Sequence, residues 1–117
     1  MNFRETKEFE NDFKKLNKKF RSLPEDLERL KKLLTKEPLG VGKHFAVLHN
    51  SPSLSIVKAR LACKYLKNST SSLRVIYAYH EETKEIELIE FIELYFKSSK
   101  AREDFARLQE YLKAHKS

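Results

Sequence analysis

The segment LSIVKARLAC places two basic residues at alternate positions of an otherwise apolar stretch. Lys58 and Arg60 alternate there with Val57, Ala59 and Leu61. Because successive side chains of a β-strand point to opposite faces, one face of this strand is predicted to be apolar and the other cationic. Cations held side by side on a strand are suited to binding an anionic group such as a phosphate.

A third basic residue, Arg74, lies at the start of the next apolar segment, LRVIYAYH. Nearly all the remaining positions of this segment are fit for burial on both faces, which predicts a central strand. If this strand pairs with the preceding one, the Arg74 guanidinium points to the same surface as Lys58 and Arg60. The alternative is a cross-strand ion pair of Arg74 with Glu87 or Glu93, since opposite charges often pair across sheets.

The polar loop KYLKNSTSS joins these two predicted strands and is long for a hairpin connection. It contributes Lys64 and Lys67 next to the predicted cationic face. Both lysines are therefore candidate contacts to the same anionic ligand.

The histidines and the cysteine, which are the residues most able to bind a metal or act as a nucleophile, are not spaced as a metal site or a catalytic site requires. His44 and His49 are five residues apart, so they fall on opposite strand faces, and no Cys or carboxylate cluster adjoins them at ligand spacing. Cys63 shares the apolar parity of its strand, which favours a packing thiol over a nucleophile. His80 lies at the far end of its strand from Arg74, roughly 20 Å by strand rise, and is interpreted as a turn histidine. No metal or small-molecule cofactor is predicted.

Two amphipathic helices are predicted before the strands. Thr6 is a suitable N-cap, and apolar residues recur at helical spacing from residue 7 to residue 20. Ser22 and Glu25 match a capping box for a second helix, which Pro38 and two nearby glycines then end. The polar side of the first helix is either a solvated surface or a contact to backbone phosphates, and its lysines are Lys14, Lys15, Lys18 and Lys19.

The last predicted strand, IELIEFIELYFK, alternates imperfectly because Glu90 interrupts its apolar positions, which indicates a bulge. Ser98 or Ser99 is a suitable cap for a final amphipathic helix. Residues 1–4 fit a short first strand, and residues 43–50 fit either a strand or an ordered loop. The sequence therefore predicts an α+β fold in which an N-terminal helical hairpin packs on a small antiparallel β-sheet of three to four strands, with a C-terminal helix.

Length and charge limit the class of protein. The chain has 117 residues, the size of one domain, so we predict a single domain over residues 1–117. Lys and Arg outnumber Asp and Glu by 24 to 17, and the net charge of +7 favours an anionic partner, either nucleic acid or an acidic protein. The one cysteine cannot form an internal disulfide, which favours a reducing cytoplasm. The opening MNFRETKEFE lacks the apolar region of a signal peptide, and no apolar run approaches a membrane span, so we expect a cytoplasmic protein without membrane contacts.

The phrase VKARLAC, followed by SSLRVIYAY and by a last strand ending in LYFK, resembles the RelE and ParE superfamily of small bacterial and archaeal toxins from toxin–antitoxin pairs. In RelE-like members the concave sheet face cleaves messenger RNA at codons exposed in the ribosome. The resemblance, which covers most of the chain, implies a ribosome-dependent endoribonuclease (mRNA interferase) with a cognate antitoxin that carries an acidic segment. By position it implies catalytic roles for Arg74, Arg60, Lys58 and Lys97, with Lys64 and Lys67 as RNA-binding residues.

Basic residues suit this reaction because attack of a ribose 2′-hydroxyl on the adjacent phosphate builds negative charge, which fixed Arg and Lys groups stabilise without a metal. RNA-cleaving members usually carry a further Arg or His at the end of the last strand and a proton-shuttling Tyr or His near the C-terminus. This chain has Lys97, Phe105 and Tyr111 there, so the general acid and base are not assigned.

Two other functions remain open. ParE-like members act on DNA gyrase and not as nucleases, so the alternative is a non-catalytic binding module, either a topoisomerase inhibitor or a toxin homologue that has lost cleavage activity. A plain RNA-binding domain is a third interpretation, although the aromatic residues mostly fall on core positions and offer no obvious stacking platform.

Overall fold

The computed structural model describes residues 1–66, 72–83 and 86–115, with three helices and a five-stranded sheet. The helices are α1 (Lys7–Asn17), α2 (Leu23–Lys36) and α3 (Phe105–Ala114), with one 3-10 turn at Lys64–Leu66. The strands are β1 (Asn2–Glu5), β2 (Phe45–Asn50), β3 (Leu54–Leu61), β4 (Leu73–Thr83) and β5 (Ile86–Phe96). The predicted α+β class is confirmed. Among the described residues, no helix has both the length and the apolar character needed to cross a bilayer.

The sheet differs from the prediction of three to four antiparallel strands. Its strand order is β1-β5-β4-β3-β2, and β1 runs parallel to β5 while the other pairs are antiparallel. The sheet is therefore mixed. Local pattern could not predict the parallel pair, because β1 has only four residues and is held by a distant contact, the stacking of Phe3 on Phe91 at 6.1 Å.

Helices α1 and α2 cover one side of the sheet, which we call the hairpin face. The rings of Phe9 and Phe91 stack there at 5.3 Å, and both side chains are fully buried. Tyr77 is also fully buried, and its hydroxyl donates to the carbonyl of Pro38 at 2.7 Å. The hydroxyl is thus hydrogen-bonded inside an apolar core. Because Pro38 closely follows α2, this bond helps to fix the position of α2 on the sheet.

The opposite side of the sheet, which we call the α3 face, has a smaller core. Leu108 and Tyr111 of α3 pack there on apolar side chains of three strands, namely Leu54, Ile56, Ile76, Ala78, Ile92 and Tyr95. The basic residues of β3 lie on the same face, because they share the parity of Ile56. The α3 face is therefore apolar in its middle and cationic at one end.

A bulge in β5 reverses the alternation of its side chains. Ile76 lies opposite Glu93 and Tyr77 lies opposite Phe91, so Ile92 is the extra residue. A bulge was predicted at Glu90, and the structure has it two residues later. The extra residue explains why Phe91 and Leu94 both reach the hairpin face, although one has an odd and the other an even residue number.

Of the three predicted helix caps, one forms as predicted, one lies at the predicted position without its capping hydrogen bond, and one is wrong. Thr6 does cap α1, since its hydroxyl accepts from the Phe9 N–H at 3.1 Å. Ser22 has helical backbone angles, and its hydroxyl donates to Asp26 at 2.7 Å instead of capping α2. The last helix begins after Asp104, not after Ser98 or Ser99, and the Asp104 carboxylate accepts from the backbone N–H of the third helical residue.

Gly40 holds the chain close to Phe45, at the entry to β2. It has a positive φ of 74°, and a Cβ at this position would overlap the Phe45 ring. Gly42 has a similar φ of 80°, but a Cβ there would meet nothing within 4 Å. Gly40→Ala is therefore expected to lower the free energy of unfolding by about 2 kcal/mol and Gly42→Ala by about 1 kcal/mol, as measured by urea denaturation. Equal losses would show that Phe45 moves aside without cost.

Candidate functional site

Strand pairing brings Lys58, Arg60 and Arg74 to one end of the α3 face. Arg60 lies directly opposite Arg74 in the β3–β4 pair, and Lys58 lies two residues further along β3, opposite Ile76. Like charges on directly opposite residues repel, so this arrangement costs stability unless an anion lies between them. The surface predicted from strand parity is present, and it holds all three residues.

These three side chains line an open cleft of about 330 Å³ together with the segment that enters β2. That segment contributes Lys43, His44, Phe45 and Ala46. The backbone N–H of Arg60 donates to the carbonyl of His44 at 2.9 Å, which fixes His44 beside the cationic strand. His44 could not be assigned to this cleft from local pattern, because the pairing of β2 with β3 joins separate segments of the chain.

Lys58 is not a free cation in this cleft. Its ammonium group lies 3.0 Å from the carboxylate of Glu103, and the two side chains are 30% and 14% exposed. Burial opposes ionisation of Glu103, but hydrogen bonds from its own backbone and from Lys58 hold the pKa of its carboxyl below the ordinary value. Glu103 is therefore a carboxylate at neutral pH, and it is a site residue that sequence reasoning missed.

Arg74 is held by the residues before it in the chain. Its guanidinium donates to the hydroxyl of Ser72 and to the carbonyl of Leu73, the latter at 3.4 Å. Neither carboxylate proposed as a partner from the sequence is paired with it. Glu93 is buried and binds Lys100 and the Asp104 N–H, and Glu87 lies opposite Glu81 near the other end of the sheet.

Tyr95 lies directly opposite Arg74 in the β4–β5 pair and is 5% exposed. Burial, reinforced by the carboxylates of Glu103 and Glu93, raises the pKa of Tyr95 to about 12 despite the nearby Arg74. The phenol therefore keeps its proton at neutral pH. It is able to donate a hydrogen bond or a proton, but it cannot serve as a base.

The remaining predicted site residues lie outside the cleft or outside the described residues. Lys97 follows β5 and is exposed, and its backbone N–H donates to the Ser72 carbonyl at 3.0 Å, so it lies at the same end of the sheet as Arg74. Lys64 pairs with Glu25 of α2 at 2.9 Å, which places it on the hairpin side of the sheet. Lys67 lies outside the described residues.

Cys63 packs against the core of the hairpin face, with its sulfur 3.4 Å from the Ser22 hydroxyl. Burial raises the pKa of its thiol, an effect that the hydrogen bond between Cys63 and Ser22 only partly offsets. A thiol that stays protonated is a poor nucleophile, which agrees with the packing role inferred from the sequence.

Comparison with known proteins assigns neither a family nor a function to the chain. No family model, no curated protein and no solved structure matches the chain. The feature that bears on function is thus the cleft itself, with two arginines on opposite positions of β3 and β4, an ion pair beside them and the His44 imidazole in its lining.

Proposed function

We propose that this chain is the toxin of a toxin–antitoxin pair, a metal-independent and ribosome-dependent mRNA endoribonuclease of the RelE type. The observation that carries the proposal is the placement of Arg60 directly opposite Arg74 at a cleft that Lys58 also lines. A phosphodiester bound between the two guanidinium groups removes their mutual repulsion and accepts several charged hydrogen bonds. RNA cleavage requires a site that binds the phosphate and stabilises the charge that develops on it, and the two guanidinium groups suit that role.

The arrangement of layers supports the same proposal. Helices α1 and α2 cover the hairpin face, while the cationic end of the α3 face stays open. A rigid sheet thereby holds the basic side chains at fixed spacing, which is the preorganisation that stabilises developing charge. The order of two helices followed by antiparallel strands, here β2 to β5, is also the order that the RelE-like resemblance implies.

The reaction is written as an internal transesterification. The ribose 2′-oxygen attacks the neighbouring phosphorus, the bond from phosphorus to the 5′-oxygen breaks, and the products are a 2′,3′-cyclic phosphate and a 5′-hydroxyl end. Arg60 and Arg74 hold the phosphate and stabilise the charge that grows on its free oxygens. The Glu103 carboxylate accepts the 2′-hydroxyl proton, and His44 donates a proton to the leaving 5′-oxygen.

His44→Gln is expected to lower the cleavage rate by about 10²-fold, because proton donation to the leaving oxygen is lost. Single-turnover cleavage with saturating protein measures this rate. His49→Gln, which removes an imidazole that does not line this cleft, is the matched control, and an equal loss in both variants would remove His44 from the mechanism.

Binding of single-stranded RNA is expected to weaken with salt at a log–log slope of about −3, if four cations each neutralise a phosphate at about 0.7 per contact. Replacing Lys58 and Arg60 together by alanine should reduce the slope by about 1.4. The control is the double replacement of Lys32 and Lys36, exposed on α2, which removes the same charge from another surface. Equal changes in the two double variants would place the RNA elsewhere.

A non-catalytic binding module is the second candidate, and one observation favours it. Lys58 is already neutralised by Glu103 in the free protein, which reduces the charge available to a transition state. A neutralised Lys58 is compatible with a ParE-like topoisomerase inhibitor or with a toxin homologue that has lost cleavage activity. Inhibition of supercoiling by purified gyrase, with no cleavage of RNA, would select this candidate.

The cationic cleft also implies how the toxin is neutralised. A cognate antitoxin that lays an acidic helix or strand across Arg60 and Arg74 would occupy the site in place of RNA and lower the local positive charge. The proposed setting is the cytoplasm, where both the translating ribosome and the antitoxin are present.

A further inference from the structure

A second cluster of chemically active side chains lies at the other end of the α3 face. It brings together His80 of β4, Glu90 of β5 and His115, the residue that follows α3. The nearest ligand atoms of these three residues all lie within 4.8 Å of one another. His80 is six residues along β4 from Arg74, roughly 20 Å by strand rise, so the cluster is separate from the cationic cleft.

The imidazole of His115 is oriented by its own helix. Its Nδ1 lies 2.9 Å from the carbonyl of Tyr111, and a carbonyl only accepts, so Nδ1 carries the proton. In the neutral ring Nε2 then has a free lone pair, and this atom lies 4.0 Å from Glu90. The ring also stacks on Tyr111 with centroids 4.0 Å apart. A histidine whose second nitrogen is fixed by a carbonyl is the arrangement that metal-binding histidines use.

His80 and Glu90 meet at the hydroxyl of Tyr111. The hydroxyl donates to Glu90 Oε1 at 2.7 Å, and His80 Nε2 lies 2.7 Å from the same hydroxyl. Because the one proton of the hydroxyl goes to Glu90, His80 Nε2 donates to the hydroxyl oxygen, and this proton must move to Nδ1 when Nε2 binds a metal. The second oxygen of Glu90 lies 3.7 Å from Arg4, so Oε1 is the atom turned towards the cluster.

We propose that His80, Glu90 and His115 bind one divalent transition-metal ion of the zinc class. Two imidazole nitrogens and one carboxylate oxygen suit zinc and disfavour magnesium or calcium, which prefer oxygen ligands. Bonds of about 2.0–2.1 Å to a tetrahedral ion bring ligand atoms to about 3.3 Å from one another, so the cluster must contract by small side-chain rotations. His80 then carries its proton on Nδ1, Tyr111 stays hydrogen-bonded to Glu90, and water takes the fourth position.

This site is structural. It joins the end of α3 to β4 and β5, and so adds to the small apolar core of the α3 face and to the hydrogen bonds of Arg107 and Tyr111 with β5. Metal binding therefore fixes α3 on the sheet and raises thermal stability with the logarithm of the metal concentration once that exceeds Kd. The site does not depend on the proposed RNA cleavage, because none of its ligands lines the cationic cleft.

The test is isothermal titration calorimetry of the chelator-treated full chain with zinc chloride. One zinc per chain is expected, with no binding of magnesium at the same concentration. His115→Ala removes a ligand at the helix terminus, where the fold tolerates change, and should weaken zinc binding by about 100-fold. Glu90→Gln, which keeps the hydrogen bond to Tyr111, should weaken it by at least about 10-fold.

His44→Ala is the matched control, since it removes an imidazole at the opposite end of the sheet and should leave zinc affinity unchanged. Cobalt(II) gives a second readout, because ions with four or five ligands absorb visible light much more strongly than hydrated ions. The wild type and His44→Ala should give this absorption, and His115→Ala should not. Absence of zinc binding by the wild type, or equal affinity in the wild type and His115→Ala, would overturn the proposal.

Discussion

Replacement of Arg74 by alanine is expected to lower the rate of mRNA cleavage by about 10³-fold while the protein stays folded. Arg74 lies at the start of β4, where it pairs with Arg60 on one side and with Tyr95 on the other. No other cation takes the position of its guanidinium when Arg74 is replaced. Its hydrogen bonds to Ser72 and Leu73 hold it in place before substrate binds. A group fixed in advance loses little entropy when charge develops on the phosphate, which is why its removal should act mainly on the cleavage step.

The measurement is single-turnover cleavage with saturating protein, so that weaker RNA binding does not enter the rate. Arg74→Lys should recover only part of the loss, because an ammonium group lacks the planar fork of donors that binds two phosphate oxygens at once. Arg21→Ala, at an exposed position between α1 and α2, removes the same charge and should cleave at the wild-type rate. Comparable rates for Arg74→Ala and the wild type would remove Arg74 from catalysis.

A large effect on stability is also expected at Asp12, whose side chain fixes the bulge of β5. Its carboxylate accepts from the backbone N–H of Leu94 at 3.0 Å and from the guanidinium of Arg107 at 2.7 Å. Arg107 in turn donates to the carbonyl of Ile92, the bulged residue, at 3.0 Å. One carboxylate thereby joins α1, the bulge and α3.

Asp12→Ala should lower the free energy of unfolding by about 2–3 kcal/mol, because it leaves a backbone N–H and a half-buried cation without their partner. The expected fall in Tm is about 10 °C for a chain of this size. Asp12→Asn keeps an acceptor for Leu94 but loses the ion pair with Arg107, so its loss should be intermediate. Glu10→Ala, exposed on the same helix, is the control and should change Tm little. A normal Tm for Asp12→Ala would show that the bulge is held by sheet pairing alone.

Alternation along one strand was enough to predict part of the site. Lys58 and Arg60 share a parity opposite to that of buried Val57, and this rule holds whatever the rest of the chain does. Arg74 required one further assumption, the pairing register of β3 with β4, and the register places it opposite Arg60. The α+β class followed from the helical and strand periodicities in the same way.

The features that local pattern did not predict all depend on contacts between distant segments. The parallel pairing of β1 with β5 joins strands more than eighty residues apart, and it rests on positions such as Phe3 opposite Ile89. Glu103 reaches Lys58 from a segment without secondary structure, where no periodicity marks an inward-facing residue. His80 is interpreted from the sequence as a turn residue because it lies at the far end of its strand from Arg74, and only the packing of α3 brings His115 to it.

Ribosome-dependent cleavage by the purified protein tests the central claim most directly. A defined messenger RNA is incubated with the wild-type chain or with Arg74→Ala, either free in solution or engaged in purified translating ribosomes, and the new 5′ ends are mapped. The proposed function predicts cuts within the codons that the ribosome exposes, only in the presence of ribosomes, and only with the wild-type protein. Cuts that persist unchanged with Arg74→Ala, or no cuts with the wild-type protein on ribosomes, would contradict it.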